Sequence, residues 1–513
     1  MKYYNFHPFL FASAPILALY AYNYDLVRPY YLIAPLAISL AAAALFSGLF
    51  KLLTGHSEKA ALLTSLFLFL FFIYGHLLNY IPTFVSKDFV IRNYLVLGIG
   101  LVIVYAFVGG WLLVRHRELV NVTKYVFATA AVLTLIPVGQ IGWAAVTEKD
   151  IARHQPASDT ILTNAADAKP DVYYLIFDGY GRQDVLNDVY HYDNEPFISF
   201  LEKQGFYVAK SGRTNYPQTM LSLASSLNMD YLDALPETLG PESDDRKPLV
   251  EMVENNKVKQ NFENLGYQYV ERTPEIAGLD QLDQNAISLG RRLTLNEFDR
   301  VLLCTTPVGL FFNVAFGIEK YREDLLTSLA QLPSIADDPR PTFAFIHIMV
   351  AHPPFVFDQF GQADLVPGKF TGTDGSHYFK EHPDRADYRR RYVNQMTFLN
   401  TRIEQMITKL LAKSESPPVI ILQGDHGPGS GLNWEDPEKT NVRERLSIFN
   451  AYYLPEAGRP ALYESITPVN SFRIVFNTLF NSGLPLLEDK SYFATWSHPY
   501  EFIDMTDRLA KSS

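Results

Sequence analysis

Three apolar, strand-like runs in the second half of the chain each end on a residue suited to metal or phosphate chemistry. Asp178 follows Val172–Phe177, His352 follows Phe343–Ala351, and Asp425-His426 follow Val419–Leu422 in the string Q-G-D-H-G. A hydroxyl, Thr219, closes the polar turn Asn215-Tyr216-Pro217-Gln218-Thr219. Two carboxylates, an imidazole and a hydroxyl make a mixed N/O donor set. Such a set suits Zn²⁺ or Mn²⁺, and suits Mg²⁺ or Ca²⁺ less well because of the histidine. A cation there lowers the pKa of the Thr219 hydroxyl and makes it a nucleophile at neutral pH. Gly424 and Gly427 flank the Asp-His pair, and their backbone freedom lets both side chains face one ion.

Each of these residues also has a plainer role. Thr219 is positioned to be a helix N-cap, Asp178 to cap the following helix, and D-H-G to be an ordinary turn with a surface histidine. The recurrence of all of them at strand ends favours the site. His352 lies in I-H-I-M-V-A-H-P-P-F, where it can hold a phosphate or protonate a leaving alkoxide. His347, earlier in that string, reads as buried structure. His498 in W-S-H-P-Y is a lesser candidate substrate contact.

The elements that must position these residues follow from the pattern after Pro170. Short continuous apolar runs mark strands buried on both faces. They alternate with helical stretches such as Phe197–Gln204, Thr219–Asn228, Tyr321–Ala330 and Tyr392–Leu411. This predicts an α/β domain with a mostly parallel sheet, whose ligands gather outside the carboxyl ends of the strands. In the helix opened by Thr219, residues Met220, Leu223, Ala224 and Leu227 form one buried face, and Thr219, Ser222 and Ser226 form another stripe. A hydroxyl at that helix start feels the positive end of the dipole, which favours an alkoxide and an incoming anion.

Charge divides the 513-residue chain. Residues 1–145 carry nine Lys and Arg against four Asp and Glu, a net of +5; the remainder carries 35 against 51, a net of −16. An acidic soluble half argues against a nucleic acid partner, whose phosphates need basic patches. The single cysteine, Cys304, excludes an intramolecular disulfide and a Cys-based zinc site, and reads as a buried small hydrophobe.

Five apolar stretches fit spanning helices: Pro8–Tyr22, Tyr30–Phe50, Ala60–Asn79, Tyr94–Val114 and Lys124–Ala144, the first of them short. With the N-terminus in the cytoplasm, Lys2, Lys51, Lys59, Arg115, Arg117 and Lys124 lie inside, and Arg28, Lys87 and Arg92 lie outside. That bias puts the acidic domain on the extracytoplasmic side. No Asp or Glu lies deep in a span, so the bundle reads as an anchor rather than a transporter. The expected organisation is a transmembrane helical domain over 1–145, a linker over 146–170 and a catalytic domain over 171–507.

Taken together, Y-Y-L-I-F-D-G-Y, N-Y-P-Q-T-M-L-S-L-A-S-S-L-N, H-I-M-V-A-H-P-P-F and I-L-Q-G-D-H-G resemble the alkaline phosphatase superfamily in its sulfatase-like branch. The resemblance is to the membrane-bound lipoteichoic acid synthase and phosphoethanolamine transferase group. It implies Asp178, Thr219, Asp425 and His426 as ligands of one metal ion, Zn or Mn, with Thr219 also the nucleophile and His352 the substrate-binding histidine. It further implies a phospholipid donor, a glycan or polyol acceptor, and a phosphoglycerol or phosphoethanolamine headgroup passed through a phospho-threonine. The setting would be a bacterial inner (cell) membrane, with the catalytic domain on its periplasmic or extracellular side. The alternative within this fold is a hydrolase: a phosphatase, a phosphodiesterase or a sulfuric ester hydrolase. Classical sulfatases carry Cys or Ser followed by x-Pro-x-Arg. Thr219 is followed by Met-Leu-Ser-Leu, and a threonine cannot become formylglycine.

Overall fold

The computed structural model describes residues 3–24, 27–79, 87–114, 119–151, 169–273, 287–288, 296–309, 317–364 and 372–511. Most of the expected linker, and the orienting residues Lys2, Arg115 and Arg117, lie outside these, as do the side chains of Lys87 and Arg92.

The first of two units comprises Met1–Ala157 and Thr294–Gly317. Its helices are α1 (His7–Tyr22), α2 (Ile33–Thr54), α3 (Ser57–Asn79), α4 (Lys87–Val114) and α5 (Leu119–Ile151). Among the described residues, four stretches, Pro29–Thr54, Ser57–Leu78, Tyr94–Val114 and Leu119–Val146, are long and apolar enough to cross a membrane. Helix α1 has 16 residues. It reaches roughly 24 Å at about 1.5 Å per residue, short of a hydrocarbon core about 30 Å thick. Its residues Ala12, Ile16 and Tyr20 are buried against Ala43, Leu68 and Phe72. Helix α5 continues to Ile151, beyond the boundary expected near residue 145.

The described residues 296–309 cluster with the helical unit, within the span 171–507 expected for the catalytic domain. Phe298 and Leu302, on the helix Glu297–Cys304, join the same apolar cluster as Tyr20 and Phe72. The Gly75 amide of α3 donates to the Thr305 carbonyl at 2.9 Å. A Cβ at Gly75 would collide with the Cys304 carbonyl, so only glycine admits this approach. Cys304 itself is exposed, not the buried hydrophobe expected, because its helix turns Phe298 and Leu302 inward instead. Gly75→Leu is therefore expected to destabilise this packing by about 1–3 kcal/mol, as overpacking does, and to lower the thermal midpoint of the full chain in detergent.

The second unit comprises Ser158–Leu293 and Ile318–Ser513. Its main sheet holds β1 (Val172–Phe177), β2 (Tyr207–Val208), β3 (Gln268–Arg272), β4 (Ile287–Ser288), β5 (Thr342–Ile348), β6 (Val419–Gln423) and β7 (Asn450–Tyr453). The order is β2-β7-β6-β1-β5-β3-β4. The five strands from β6 to β4 are parallel, and β7 runs antiparallel to β6. Every residue of β1, β5 and β6 is buried, as expected of parallel strands covered on both faces. Helices Glu195–Lys203, Thr219–Asn228, Gly317–Gln331 and Arg385–Lys413 match the four helical stretches read from sequence; the last two are longer at both ends, and the first starts and stops earlier than expected.

Register decides where the chemistry falls. Ile176 of β1 lies opposite His347 of β5 on one side and Gln423 of β6 on the other, so the three strands finish side by side. Strand β5 ends at Ile348, earlier than the apolar run suggested. Beyond it the chain bends, and the Ala351 amide donates to the Asp178 carbonyl at 3.1 Å, which carries His352 toward the end of β1.

Candidate active site

Thr219 is the first residue of the helix Thr219–Asn228, and Gln218, with extended backbone, takes the N-cap position. The cap role considered for Thr219 is thus absent. The Gln218 amide donates to the carbonyls of Ala494 at 3.3 Å and Thr495 at 2.9 Å, which ties the turn to the C-terminal segment. Thr214 Oγ1 donates to the Asp425 carbonyl at 2.6 Å, linking the turn before Thr219 directly to the Asp-His turn. The helix is buried on every side rather than on one face. Its polar stripe is absorbed internally: Ser222 meets Thr214 at 3.2 Å, and Ser226 accepts from the Tyr174 hydroxyl at 3.2 Å.

The Thr219 hydroxyl lies 3.1 Å from His426 Nε2. His426 Nδ1 faces the Gly427 carbonyl at 3.0 Å. A carbonyl only accepts, so Nδ1 carries the proton and Nε2 presents its lone pair to the site. Around that lone pair stand Asp425 Oδ2 at 3.4 Å and Asp178 Oδ1 at 3.5 Å. Both carboxylates are buried, and neither of these oxygens has a hydrogen-bond partner among the described residues. The other oxygens are held: Asp425 Oδ1 accepts from the Gly179 amide at 3.2 Å, and Asp178 Oδ2 from His347 Nε2 at 3.0 Å. Asp178 does not cap the next helix, which starts at Gln183 behind an Arg182 N-cap.

The two glycines act through close approach rather than through unusual φ. A Cβ at Gly424 would stand 2.5 Å from the Tyr180 carbonyl, and one at Gly427 would collide with the Glu444 carbonyl. Neither has positive φ, unlike Gly179, at +75°.

His352 is buried beside these groups, and its Nδ1 donates to the Pro353 carbonyl at 2.7 Å. Its Nε2 lies 3.9 Å from Asp374, and ligand atoms of Asp178, His352 and His426 all fall within 4.8 Å of one another. The same limit joins Asp178, His347 and Asp425. His498 belongs to neither group; it is partly exposed and pairs with Glu242 at 3.1 Å.

Burial by itself would raise the Asp178 carboxyl, yet His352 nearby and the hydrogen bond from His347 hold it far below the usual carboxylate range. Burial pushes the His426 imidazole down, with Arg445 adding to the effect, so it is neutral and able to donate a lone pair. Two inward oxygens without partners, a lone pair and a hydroxyl in a buried setting fit a divalent cation, which supplies the missing partner for each.

Three residues of the site escaped the sequence reading. His347 is buried as expected, but it holds Asp178. Asp374 accepts from Tyr388 and from Arg445. Arg445 is fully buried and reaches both active turns. The spacing of two histidines in I-H-I-M-V-A-H was the available signal for His347. Asp374 and Arg445 sit in ordinary polar strings with none.

Residues 170–472 match the family model described as Sulfatase. No curated protein matches the sequence. Among solved structures, the C-terminal periplasmic domain of EcEptC from Escherichia coli, in complex with Zn, is similar at 13% identity and a TM-score of 0.43. It covers 68% of this chain and 97% of its own. The integral membrane protein lipooligosaccharide phosphoethanolamine transferase A from Neisseria meningitidis is similar at 14% identity and a TM-score of 0.41, covering 92% of this chain and 95% of its own.

Proposed function

The chain belongs to the sulfatase family, and from that premise we propose that it is a membrane-anchored, metal-dependent transferase of phospho-headgroups acting through Thr219. The observation that carries the reading is one contact. The Thr219 hydroxyl faces the His426 lone pair, flanked by two buried carboxylate oxygens with no other partner. A family fold with a threonine at the nucleophile position points away from formylglycine-based sulfate chemistry and toward phosphate. Four helices able to span a bilayer put a lipid phosphodiester within the natural reach of such a domain.

Asp178, Asp425, His426 and Thr219 are the ligands in this reading, and Zn²⁺ or Mn²⁺ is the ion. When bound, the cation lowers the Thr219 hydroxyl pKa and draws off charge from phosphate oxygens. Thr219 Oγ, its proton given up to solvent, attacks the phosphorus of the lipid headgroup, forming an Oγ–P bond as the P–O bond to diacylglycerol breaks. His352, buried with its Nδ1 already committed, turns Nε2 to the phosphate and supplies the proton to the departing oxygen. The N-terminal end of the helix Thr219–Asn228 favours the anion through its free amides. A hydroxyl of an envelope glycan or polyol then gives its proton to His352 and attacks phospho-Thr219; its oxygen joins phosphorus as the Oγ–P bond breaks, and Thr219 leaves as the alkoxide. The headgroup is phosphoglycerol or phosphoethanolamine. With α1 short of crossing, four spans and basic residues Lys51, Lys59 and Lys124 in the cytoplasmic loops put both the N-terminus and the catalytic domain on the periplasmic or extracellular side of a bacterial inner membrane in this reading.

The test is the fate of label. Full-length protein in vesicles is given phosphatidylglycerol or phosphatidylethanolamine labelled in the headgroup, with envelope glycan. Label on glycan, with diacylglycerol released, is the expected result. Label in free glycerophosphate or phosphoethanolamine would make the enzyme a hydrolase. No release of either would end the reading.

A further inference from the structure

One side chain stands apart from the ligand set yet touches both the turn before Thr219 and the turn that carries His426. Arg445 is among the largest fully buried side chains, and burying a guanidinium is costly unless its donors are matched. Its partners account for it. Nε donates to the Pro217 carbonyl at 2.8 Å, two residues before Thr219. Nη1 donates to the Gly427 carbonyl at 3.0 Å, one residue after His426. Nη1 also pairs with Asp374 Oδ2 at 2.8 Å, and Asp374 stands 3.9 Å from His352. The Trp434 ring covers the guanidinium at 4.9 Å, and Trp434 Nε1 donates to the Asp374 carbonyl at 2.8 Å.

The Gly427 carbonyl is shared. It accepts from Arg445 and also from His426 Nδ1, the bond that aims Nε2 at Thr219. The same guanidinium therefore acts on the orientation of His426, on the turn that presents Thr219, and on the carboxylate beside His352. The Asp374 side is equally close-fitted. Its Oδ1 accepts from the Tyr388 hydroxyl at 2.7 Å, and a Cβ at Gly429 would collide with its carboxylate. Two loops distant in sequence, 214–218 and 424–429, are thus set against one planar group whose donors diverge at fixed angles. A lysine, a point charge on a flexible stem, cannot reproduce that fork.

We propose that Arg445 is the positioning residue of the site: its guanidinium fixes the distance between the nucleophile turn and the Asp-His turn, and through Asp374 the place of His352. This rests on the proposed function and deepens it, by naming what holds the ligands at bonding distance from one cation. Groups that orient ligands in this way typically carry about 10–100-fold in metal affinity or activity.

The test uses full-length protein in detergent, with Mn²⁺ as probe. Binding is followed by electron paramagnetic resonance and by titration calorimetry, and thermal unfolding in chelator serves as the fold control. Arg445→Lys is expected to bind Mn²⁺ about 10–100-fold more weakly and with an altered spectrum. Asp374→Asn keeps the guanidinium and both carbonyl contacts, so it is expected to bind Mn²⁺ within about threefold of wild type while slowing headgroup release, the step that uses His352. If Arg445→Lys does not fold, Arg445→Ala supplemented with millimolar guanidinium replaces it, and recovery of Mn²⁺ affinity on adding guanidinium is the expected result. A folded Arg445 variant that binds Mn²⁺ as wild type does, or an alanine variant whose affinity ignores guanidinium, overturns the proposal. A wild-type chain that binds neither Mn²⁺ nor Zn²⁺ overturns the metal reading beneath it as well, so the two failures are told apart.

Discussion

Thr219→Ala is expected to abolish headgroup transfer while leaving the protein folded and able to bind metal. Loss of a covalent nucleophile costs about 10⁴-fold or more in turnover, on the order of 5 kcal/mol of barrier. The fold should hardly register the change. The hydroxyl makes one hydrogen bond, to His426, and such a bond is worth about 1 kcal/mol. The helix does not rely on it for capping, because Gln218 occupies that position. Helix propensity moves slightly in favour of the variant, since alanine is the better helix former. Thr219→Ser keeps the oxygen and should retain measurable transfer. Mass spectrometry of the peptide holding residue 219, after incubation with phospholipid, should find the adduct in wild type and not in Thr219→Ala. Turnover in Thr219→Ala above about 1% of wild type would rule out the covalent scheme.

Much of this site is legible in the sequence, because strand ends are. Val172–Phe177 and Val419–Gln423 are short, apolar and bounded by polar turns, and a parallel sheet delivers its carboxyl ends to one side. Asp178, Asp425, His426 and His352 are legible on that basis, and Thr219 from the polar turn that opens its helix. What escaped was whatever depends on register or on a distant loop. His347 looks like core because it is core; only its register opposite Ile176, beside the end of β1, turns it toward Asp178. Asp374 comes from a loop some fifty residues before β6, and its position is set by contacts with Tyr388 and Trp434 that no local pattern encodes. Residues 296–309 join the helical unit through Phe298 and Leu302, which a sequence pattern places equally well in a domain core. The weak first span is a matter of length alone, and the structure keeps it a helix of 16 residues.

The second large effect concerns the charge of the site and has an inverted sign. In chelator, Asp425→Asn is expected to be at least as stable as wild type; with Zn²⁺ or Mn²⁺ present, wild type is expected to be the more stable. The ligand oxygens of Asp178 and Asp425 lie within 4.8 Å of each other and are buried. At an effective dielectric near 20, two like charges at that separation repel by about 3 kcal/mol. Asp178 is kept ionised by the histidines around it, so it does not escape by taking up a proton near neutral pH. The substitution removes one charge. It keeps an oxygen for the Gly179 amide and turns an amide donor toward the His426 lone pair and Asp178 Oδ1, both acceptors. The metal reverses the balance. Binding only the folded state at about a hundred times its dissociation constant stabilises by about 2.7 kcal/mol, and the variant, short of one charged ligand, gains little of that. Thermal unfolding of both proteins in chelator and in each metal checks the crossover. Wild type ahead by the same margin in every condition would mean that these two carboxylates hold no cation, and that their orphaned oxygens have some other partner.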